Sequence, residues 1–382
     1  LAEIGNEHQR FMHQALSLAR KGAGYVSPNP MVGSVIVKDG RVVGEGYHGR
    51  FGGPHAEVEA ILSGEGKTQG ATLYVTLEPC CHFGKTPPCT QAVIEAGISH
   101  VVYAVGDPNP KVSGGGHSQL EAAGIRVTKG ILEPEARELN RAFFHYIQSE
   151  TPYVIAKFAM SVDGKLATRT GDSRWVTSPD SRLEVMHLRH QVDAILVGAG
   201  TVVADNPQLT TRIPGHASPR HPLRVILDNH SGLQPHAEIF QPGLSGRTLL
   251  CTTRLSQDPH LQPFQKQGVE ILHFPHQPDP RIPLRPLLQE LHRRQIMSLL
   301  VEGGSHIHGA FFDAQLVAEI WAFIAPKVVG GKHAPSPISG QGIAKMAEAL
   351  SWEWREVRQI GTDLLLRLLP VKPSISPLLE QH

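Results

Sequence analysis

The chain is 382 residues long, enough for two domains that each bury a core. Apolar residues make up 40% and charged residues 19%, with a formal net charge of +1, which reads as soluble and globular and excludes a charge-driven nucleic-acid binder. No uncharged stretch is long enough to cross a bilayer, the early Glu3, Glu7, His8 and Arg10 are unlike a secretory signal, and four cysteines over this length make no disulfide framework. The expectation is a cytoplasmic protein acting on a small molecule, with neither nucleic acid nor membrane as partner.

Phe11, Ala15, Leu18 and Ala19 recur at helical spacing, and Gly22 and Gly24 stop that helix. Strands are predicted over 31–37 and 42–47, joined by the hairpin turn Asp39-Gly40. A helix over 55–62 follows, with Pro54 suited to its first turn. Next come a strand over 71–77, a helix over 89–96, a strand over 100–105, a short helix over 118–123, a strand over 125–128 and one long amphipathic helix over 134–147. A hairpin followed by strand–helix alternation means a layered α/β domain over 1–150. Thr151-Pro152 marks the boundary to a second domain over 151–370. There, strands are predicted over 153–160, 194–197, 223–227, 248–251, 298–301 and 320–324, and helices over 179–190 and 284–294. The stretches 205–222 and 254–287, rich in Pro, Gln and His, read as long loops, and 371–382 as a disordered tail.

The chemistry is concentrated in His55-Ala56-Glu57, Glu78-Pro79-Cys80 and Cys89. His55, Cys80 and Cys89 are three zinc-type ligands, and three protein ligands leave a fourth position for water. Glu57 is a carboxylate that is not needed as a ligand and is free to move that water's proton. A His-x-Glu followed by Pro-Cys is the signature of zinc deaminases. Cys89 opens a predicted helix, whose dipole favours a thiolate. The competing reading is a structural zinc, with Cys81 or His82 as fourth ligand; Cys81 adjoins Cys80, and neighbouring residues fit one tetrahedral ion poorly.

The run 79–89, with eight residues between its cysteines, resembles the deaminase half of the bifunctional riboflavin-biosynthesis family; nucleoside and tRNA deaminases use a Cys-x-x-Cys spacing. Ser27-Pro28-Asn29-Pro30-Met31-Val32-Gly33 and Gly106-Asp107-Pro108-Asn109-Pro110 are similar to the same family, which often has Arg where this chain has Lys85. The resemblance implies a cytidine-deaminase-like three-layer α/β/α domain. It also implies a phosphorylated diaminopyrimidinone substrate that loses its 2-amino group. Asn29 would hold the pyrimidine edge, with His82, Lys85 and Asn109 as further base or phosphate contacts. On the residues alone, Asp107 and Asn109 read equally well as a Pro-flanked turn.

In the second half, Gly198-Ala199-Gly200 follows a predicted strand, but the third glycine of a dinucleotide fingerprint would fall on Val203, so the fingerprint fails. Glu302-Gly303-Gly304-Ser305, also after a strand, suits a close backbone approach to phosphate, although a plain tight turn is the more common explanation of a Gly-Gly pair. The runs 157–165, 193–201, 204–207 and 301–304 together resemble the same family's reductase half. That resemblance implies a dihydrofolate-reductase-like α/β domain using NADPH to reduce a ribosylamino sugar to a ribityl chain. By carry-over Ala159, Trp175, Thr201, Asp205, Asn229 and the turn Gly304, Ser305, His306, Ile307, His308, Gly309, Ala310 would contact the cofactor. Ser173, Arg189, Leu209, Arg212 and Glu302 would contact the substrate, with Lys157 steadying charge on the sugar. The guanidinium forks of Arg189 and Arg212 suit a sugar phosphate, and Arg254 is a candidate for the cofactor's 2′-phosphate. The family also implies self-association as a dimer or tetramer.

Overall fold

The computed structural model describes residues 2–84, 87–110, 112–229, 232–275 and 281–371, with side chains from residue 6 onward. Lys85 and the predicted tail beyond residue 371 lie outside them. The chain divides into two compact units, Leu1–Glu150 and Thr151–His382.

The first unit runs α1 (Ala2–Arg20), β1 (Gly33–Lys38), β2 (Arg41–Tyr47), α2 (Ala56–Ser63), β3 (Thr72–Leu77), α3 (Cys89–Glu95), β4 (His100–Val105), α4 (Gly115–Ala122), β5 (Arg126–Lys129), α5 (Glu133–Leu139) and α6 (Arg141–Gln148). Its sheet has the order β2-β1-β3-β4-β5, with β1 antiparallel to β2 and β3, and β3, β4 and β5 parallel. The β1–β2 turn holds Asp39 and Gly40 at φ 49° and 72°, the left-handed pair that a two-residue hairpin needs. Ile36, Leu73, Val75 and Val101 form one core with Ala60 of α2, Val93 of α3 and Leu120 of α4. On the opposite face of β3, Tyr74 meets Phe11 of α1 at 5.2 Å between ring centroids. Helices therefore cover both faces of the sheet, giving the three expected layers.

Two local expectations change. The first helix residue after Pro54 is Ala56, so His55 is the N-cap and Pro54 precedes the helix. The single helix expected over 134–147 is two, α5 and α6, because Asn140 breaks it. Its side chain is buried and bonds the backbone of Met31 twice: Oδ1 accepts from Met31 N at 2.8 Å and Nδ2 donates to Met31 O at 2.9 Å. Two bonds to a distant backbone outweigh one uninterrupted helix turn.

The second unit runs β6 (Tyr153–Ser161), α7 (Pro179–Gln191), β7 (Ala194–Gly198), α8 (Ala199–Asp205), β8 (Leu223–Asp228), β9 (Thr248–Thr252), α9 (Gln262–Lys266), β10 (Glu270–His273), α10 (Leu284–Arg293), β11 (Ser298–Val301), α11 (Ser305–Asp313), β12 (Glu319–Ala325), β13 (Trp352–Ile360) and β14 (Asp363–Pro370). The sheet order is β10-β9-β8-β7-β11-β6-β12-β14-β13, parallel from β10 to β12 and closed by the antiparallel hairpin β13–β14. The buried parallel strands are near-continuous apolar runs, which made them legible. The stretch expected as loop over 254–287 contains α9 and the short edge strand β10. The hairpin was not anticipated: β13 is largely exposed and charged, so it lacks a buried apolar signal. Insertion of β11 between β6 and β7 makes a topological switch, and ligands of open α/β sheets bind beyond the carboxyl ends of strands at such points. No helix among the described residues is long and apolar enough to cross a membrane.

Candidate active sites

In the first unit the backbone delivers three soft or borderline donors to one place. His55 caps α2, Cys89 is the first residue of α3, and Cys80 lies past the end of β3. Helix α2 sits close to β2 because Gly46 has no side chain; a Cβ there would come within 2.4 Å of Ala60 N. The ligand atoms of His55, Cys80 and Cys89 all lie within 4.8 Å of one another. His55 Nδ1 is 3.2 Å from Cys89 Sγ and 3.6 Å from Cys80 Sγ. The Cys89 thiol bonds to Cys80, which pulls Cys80 down to about 4 against the effect of burial, with His55 helping. The same bond and burial push Cys89 up. Two thiols and an imidazole sharing protons at this spacing are a donor set that a zinc ion fits. Cys81 stands apart, with Sγ 3.9 Å from Val112 O, and is not in the group.

Glu57 is 3% exposed and lies outside the donor trio. Burial, with the nearby Cys80 charge, raises its carboxyl to about 7. It lines a cavity of about 230 Å³ together with Asn29, His48, His55, Cys80, His82, Asp107 and Asn109. The structure thus brings Asn29, His82 and Asn109 to the predicted metal group. Asp107, lifted to about 6 mainly by burial, also caps its own turn by accepting from Asn109 N at 2.8 Å, so the turn forms and both residues line the cavity.

Sequence reasoning missed two residues here. Glu78 is buried, and its carboxylate accepts backbone N–H groups of Asp107, Gly114 and His117 at 3.4, 3.2 and 3.1 Å, which ties the 107–114 loop to the end of β3. His48 is buried between Asn29 and Pro54, with its ring 5.3 Å from that of His55. Burial lowers its pKa, against the Pro54 carbonyl and with His55. Neither belongs to a short motif, and only an acid next to Pro79-Cys80 hinted at the first.

In the second unit several of the carry-over residues lie at or just past the carboxyl ends of strands: Ala159 near the end of β6, Thr201 after β7, Asn229 after β8 and Glu302 after β11. Glu302 follows β11, and its side chain is 7% exposed. Arg189 grips it with Nε to Oε1 and Nη2 to Oε2, both at 2.8 Å, and donates from Nη1 to Thr210 O at 3.2 Å. Lys157 Nζ is 3.6 Å from Oε2. Burial alone would raise the Glu302 carboxyl, but Arg189 and then Lys157 override it and hold it down at about 2. The Arg189 fork is thus directed at a carboxylate within the protein, whereas Arg212 is exposed, donating to Gln208 Oε1 at 2.9 Å. Leu209, between them in sequence, is buried at φ 52°, a left-handed conformation that bulky residues rarely adopt.

Helices α8 and α11 both start at this end of the sheet, directly after β7 and three residues after Glu302. Gly303 packs on β7, where a Cβ would lie 2.6 Å from Val197 Cα. Gly304, at φ 63°, faces Thr201; a Cβ there would reach within 3.2 Å of Thr201 Oγ1. Open glycine backbone between two helix starts fits the phosphates of a dinucleotide. Ser305 and His306 sit on the first turn of α11, whereas His308 and Gly309 turn inward. His308 contacts Val301 O and Pro337 O, and Gly309 packs on the backbone at Ser339. Ala159, Ser173, Asp205, Ile307 and Ala310 are partly buried, and Asn229 is exposed just past β8. Trp175 is 62% exposed, which excludes a core role, and Arg182 stacks on its ring at 4.5 Å. Arg254 is held by Asp258 at 3.0 Å and Asp228 at 3.5 Å.

Comparison with known proteins agrees with this two-site picture. The model of the cytidine and deoxycytidylate deaminase zinc-binding region matches residues 5–105, and that of the RibD C-terminal domain matches residues 152–366. The riboflavin biosynthesis protein RibD of Actinobacillus pleuropneumoniae is 43% identical over 95% of this chain and 95% of its own length. That of Escherichia coli K12 is 39% identical over 95% and 99%. The solved RibD of Acinetobacter baumannii has a TM-score of 0.86 at 37% identity, covering 96% of this chain and 100% of that one. A diaminohydroxyphosphoribosylaminopyrimidine deaminase/5-amino-6-(5-phosphoribosylamino)uracil reductase from Thermotoga maritima has a TM-score of 0.84 at 38% identity, covering 96% and 99%. A deaminase unit with a zinc donor set and a reductase unit, matched together over nearly the whole length, show that the chain belongs to the RibD family of bifunctional deaminase–reductases of riboflavin biosynthesis.

Proposed function

We propose that the chain first deaminates 2,5-diamino-6-(ribosylamino)-4(3H)-pyrimidinone 5′-phosphate and then reduces its ribosyl group to ribityl with NADPH, giving 5-amino-6-(ribitylamino)uracil 5′-phosphate. The observation that carries the first step is Glu57: a buried carboxylate on the cavity wall, beside but outside the donor trio. His55, Cys80 and Cys89 would hold zinc, which supplies a Lewis acid that makes water nucleophilic near neutral pH. A Glu57 oxygen takes a proton from the attacking water, passes it to the adjacent ring nitrogen, and passes the second to the departing amine. A carboxyl near pH 7 both accepts and returns protons. Water and the amine thus become the ring carbonyl and ammonia.

For the second step, NADPH when bound would supply hydride to the anomeric carbon of the ring-opened imine, whose nitrogen takes up a proton from solvent. Gly304, Ser305, His306, Thr201, Asp205 and Asn229 line the cofactor's place, and Ala159 and Trp175 flank it. Arg189 orients Glu302, whose carboxylate accepts from sugar hydroxyls, and Lys157 balances charge beside it. Exposed Arg212 takes the phosphate, with Ser173 and Leu209 alongside. The same reading includes a cytoplasmic location and self-association. Edge strand β13 exposes Trp354 and Val357, apolar surface that a second copy would cover, and sedimentation as a monomer at micromolar concentration would remove that part.

The test is to supply the diaminopyrimidinone phosphate with and without NADPH and identify the products. Ammonia and the ribosylamino-uracil are expected without NADPH, and the ribityl product with it. Glu57→Gln should keep its zinc while ammonia release falls by about 10²–10⁴-fold. Turnover of cytidine or RNA in place of the pyrimidinone would overturn the reading.

A further inference from the structure

His48 is 2% exposed and faces two groups of fixed polarity. Its Nδ1 lies 2.8 Å from the carbonyl oxygen of Pro54, which can only accept, so Nδ1 carries a proton. Its Nε2 lies 3.1 Å from Asn29 Nδ2, which can only donate, so Nε2 accepts. With Nδ1–H given to Pro54 O, the opposite amide orientation would set Asn29 Oδ1 against the Nε2 lone pair, acceptor against acceptor. With Nδ2 engaged, Asn29 Oδ1 has no donor among the described residues, in a side chain that lines the Glu57 cavity. The backbone that carries the two side chains is held in place. Asn29 N donates to Val26 O at 2.9 Å, His48 N to Val32 O at 2.9 Å, and Asn140 grips Met31.

We infer that His48 is the positioning residue that fixes the polarity of Asn29, so that the side chain which the resemblance implies holds the pyrimidine edge presents Oδ1 as an acceptor to an N–H of the ring. The inference rests on the proposed deamination. A ring edge offering an N–H or an amine satisfies Oδ1, whereas an edge offering only acceptors places lone pair against lone pair in a closed site. Specificity for an aminopyrimidine thus begins with a histidine that need not touch the ring.

The test uses full-length, zinc-loaded protein and measures ammonia release from the diaminopyrimidinone phosphate for wild type, His48→Phe, Asn29→Leu and the double variant. Each single substitution should raise KM about tenfold with a smaller change in kcat. The double variant should be no worse than either single, because both remove one contact. Additive losses, or a fall in kcat at unchanged KM, overturn the inference. Zinc content and NADPH-dependent reduction of the deaminated substrate serve as controls. If His48→Phe loses zinc, His48→Gln decides instead: its amide oxygen still accepts from Asn29 and should hold KM near wild type, and a tenfold rise there also overturns the inference. Wild type that releases no ammonia would sink the deaminase reading itself, a distinguishable result.

Discussion

Glu302 shows how one side chain is specified by its neighbours. A carboxylate this buried would normally take up a proton; with Arg189 and Lys157 beside it, it stays charged far into acid. Its folded pKa is about 2 against 4.5 for the free group, so its stabilising contribution is complete above about pH 5 and is lost as pH falls toward 2. That contribution is on the order of 3 kcal/mol. Urea unfolding of the reductase unit should therefore show wild type losing stability between pH 5 and 3. Glu302→Gln should start lower, with two cations left buried beside a neutral amide, and vary less over that range. Equal pH slopes would show that the three charges do not act as a unit. The cations themselves were legible in the sequence, but their convergence was not. The forks of Arg189 and Arg212 read alike, and only the fold turns one to a carboxylate and leaves the other exposed.

Among elements, the break between α5 and α6 matters most for the deaminase pocket. Asn140→Ala removes both bonds to Met31 at a site 3% exposed, and should cost about 1–3 kcal/mol in the stability of the first unit. It should also raise the deaminase KM several-fold, since Asn29 and Pro30 are on the same loop; thermal melts and ammonia assays check both, and an unchanged KM would mean that the loop holds itself. The convergence of His55, Cys80 and Cys89 was readable because each sits in a short motif at a helix or strand end. The 27–33 run was readable only as a resemblance. Its anchor was hidden, because the partners are 109 residues apart and the apolar periodicity of 134–147 runs through Asn140 without interruption. The β13–β14 hairpin was hidden for the opposite reason, since few of its side chains are buried.

For the molecule as a whole, the two chemistries depend on different things. Removing the metal with a chelator should abolish ammonia release and leave the NADPH-dependent rate on the deaminated substrate within about twofold, since orientation and fixed charge suffice for reduction and no step there draws on the donor trio. Parallel loss of both rates would show coupling between the units. The Asn140 clasp has a further consequence for anyone cutting the gene. The matched zinc-binding region ends at residue 105, yet the loop that carries Asn29 is fastened by residue 140. A fragment trimmed to the recognisable region would keep His55, Cys80 and Cys89 and lose the fastening of the loop that carries Asn29. The smallest useful deaminase excised from this chain must run to about residue 150, where the first unit ends.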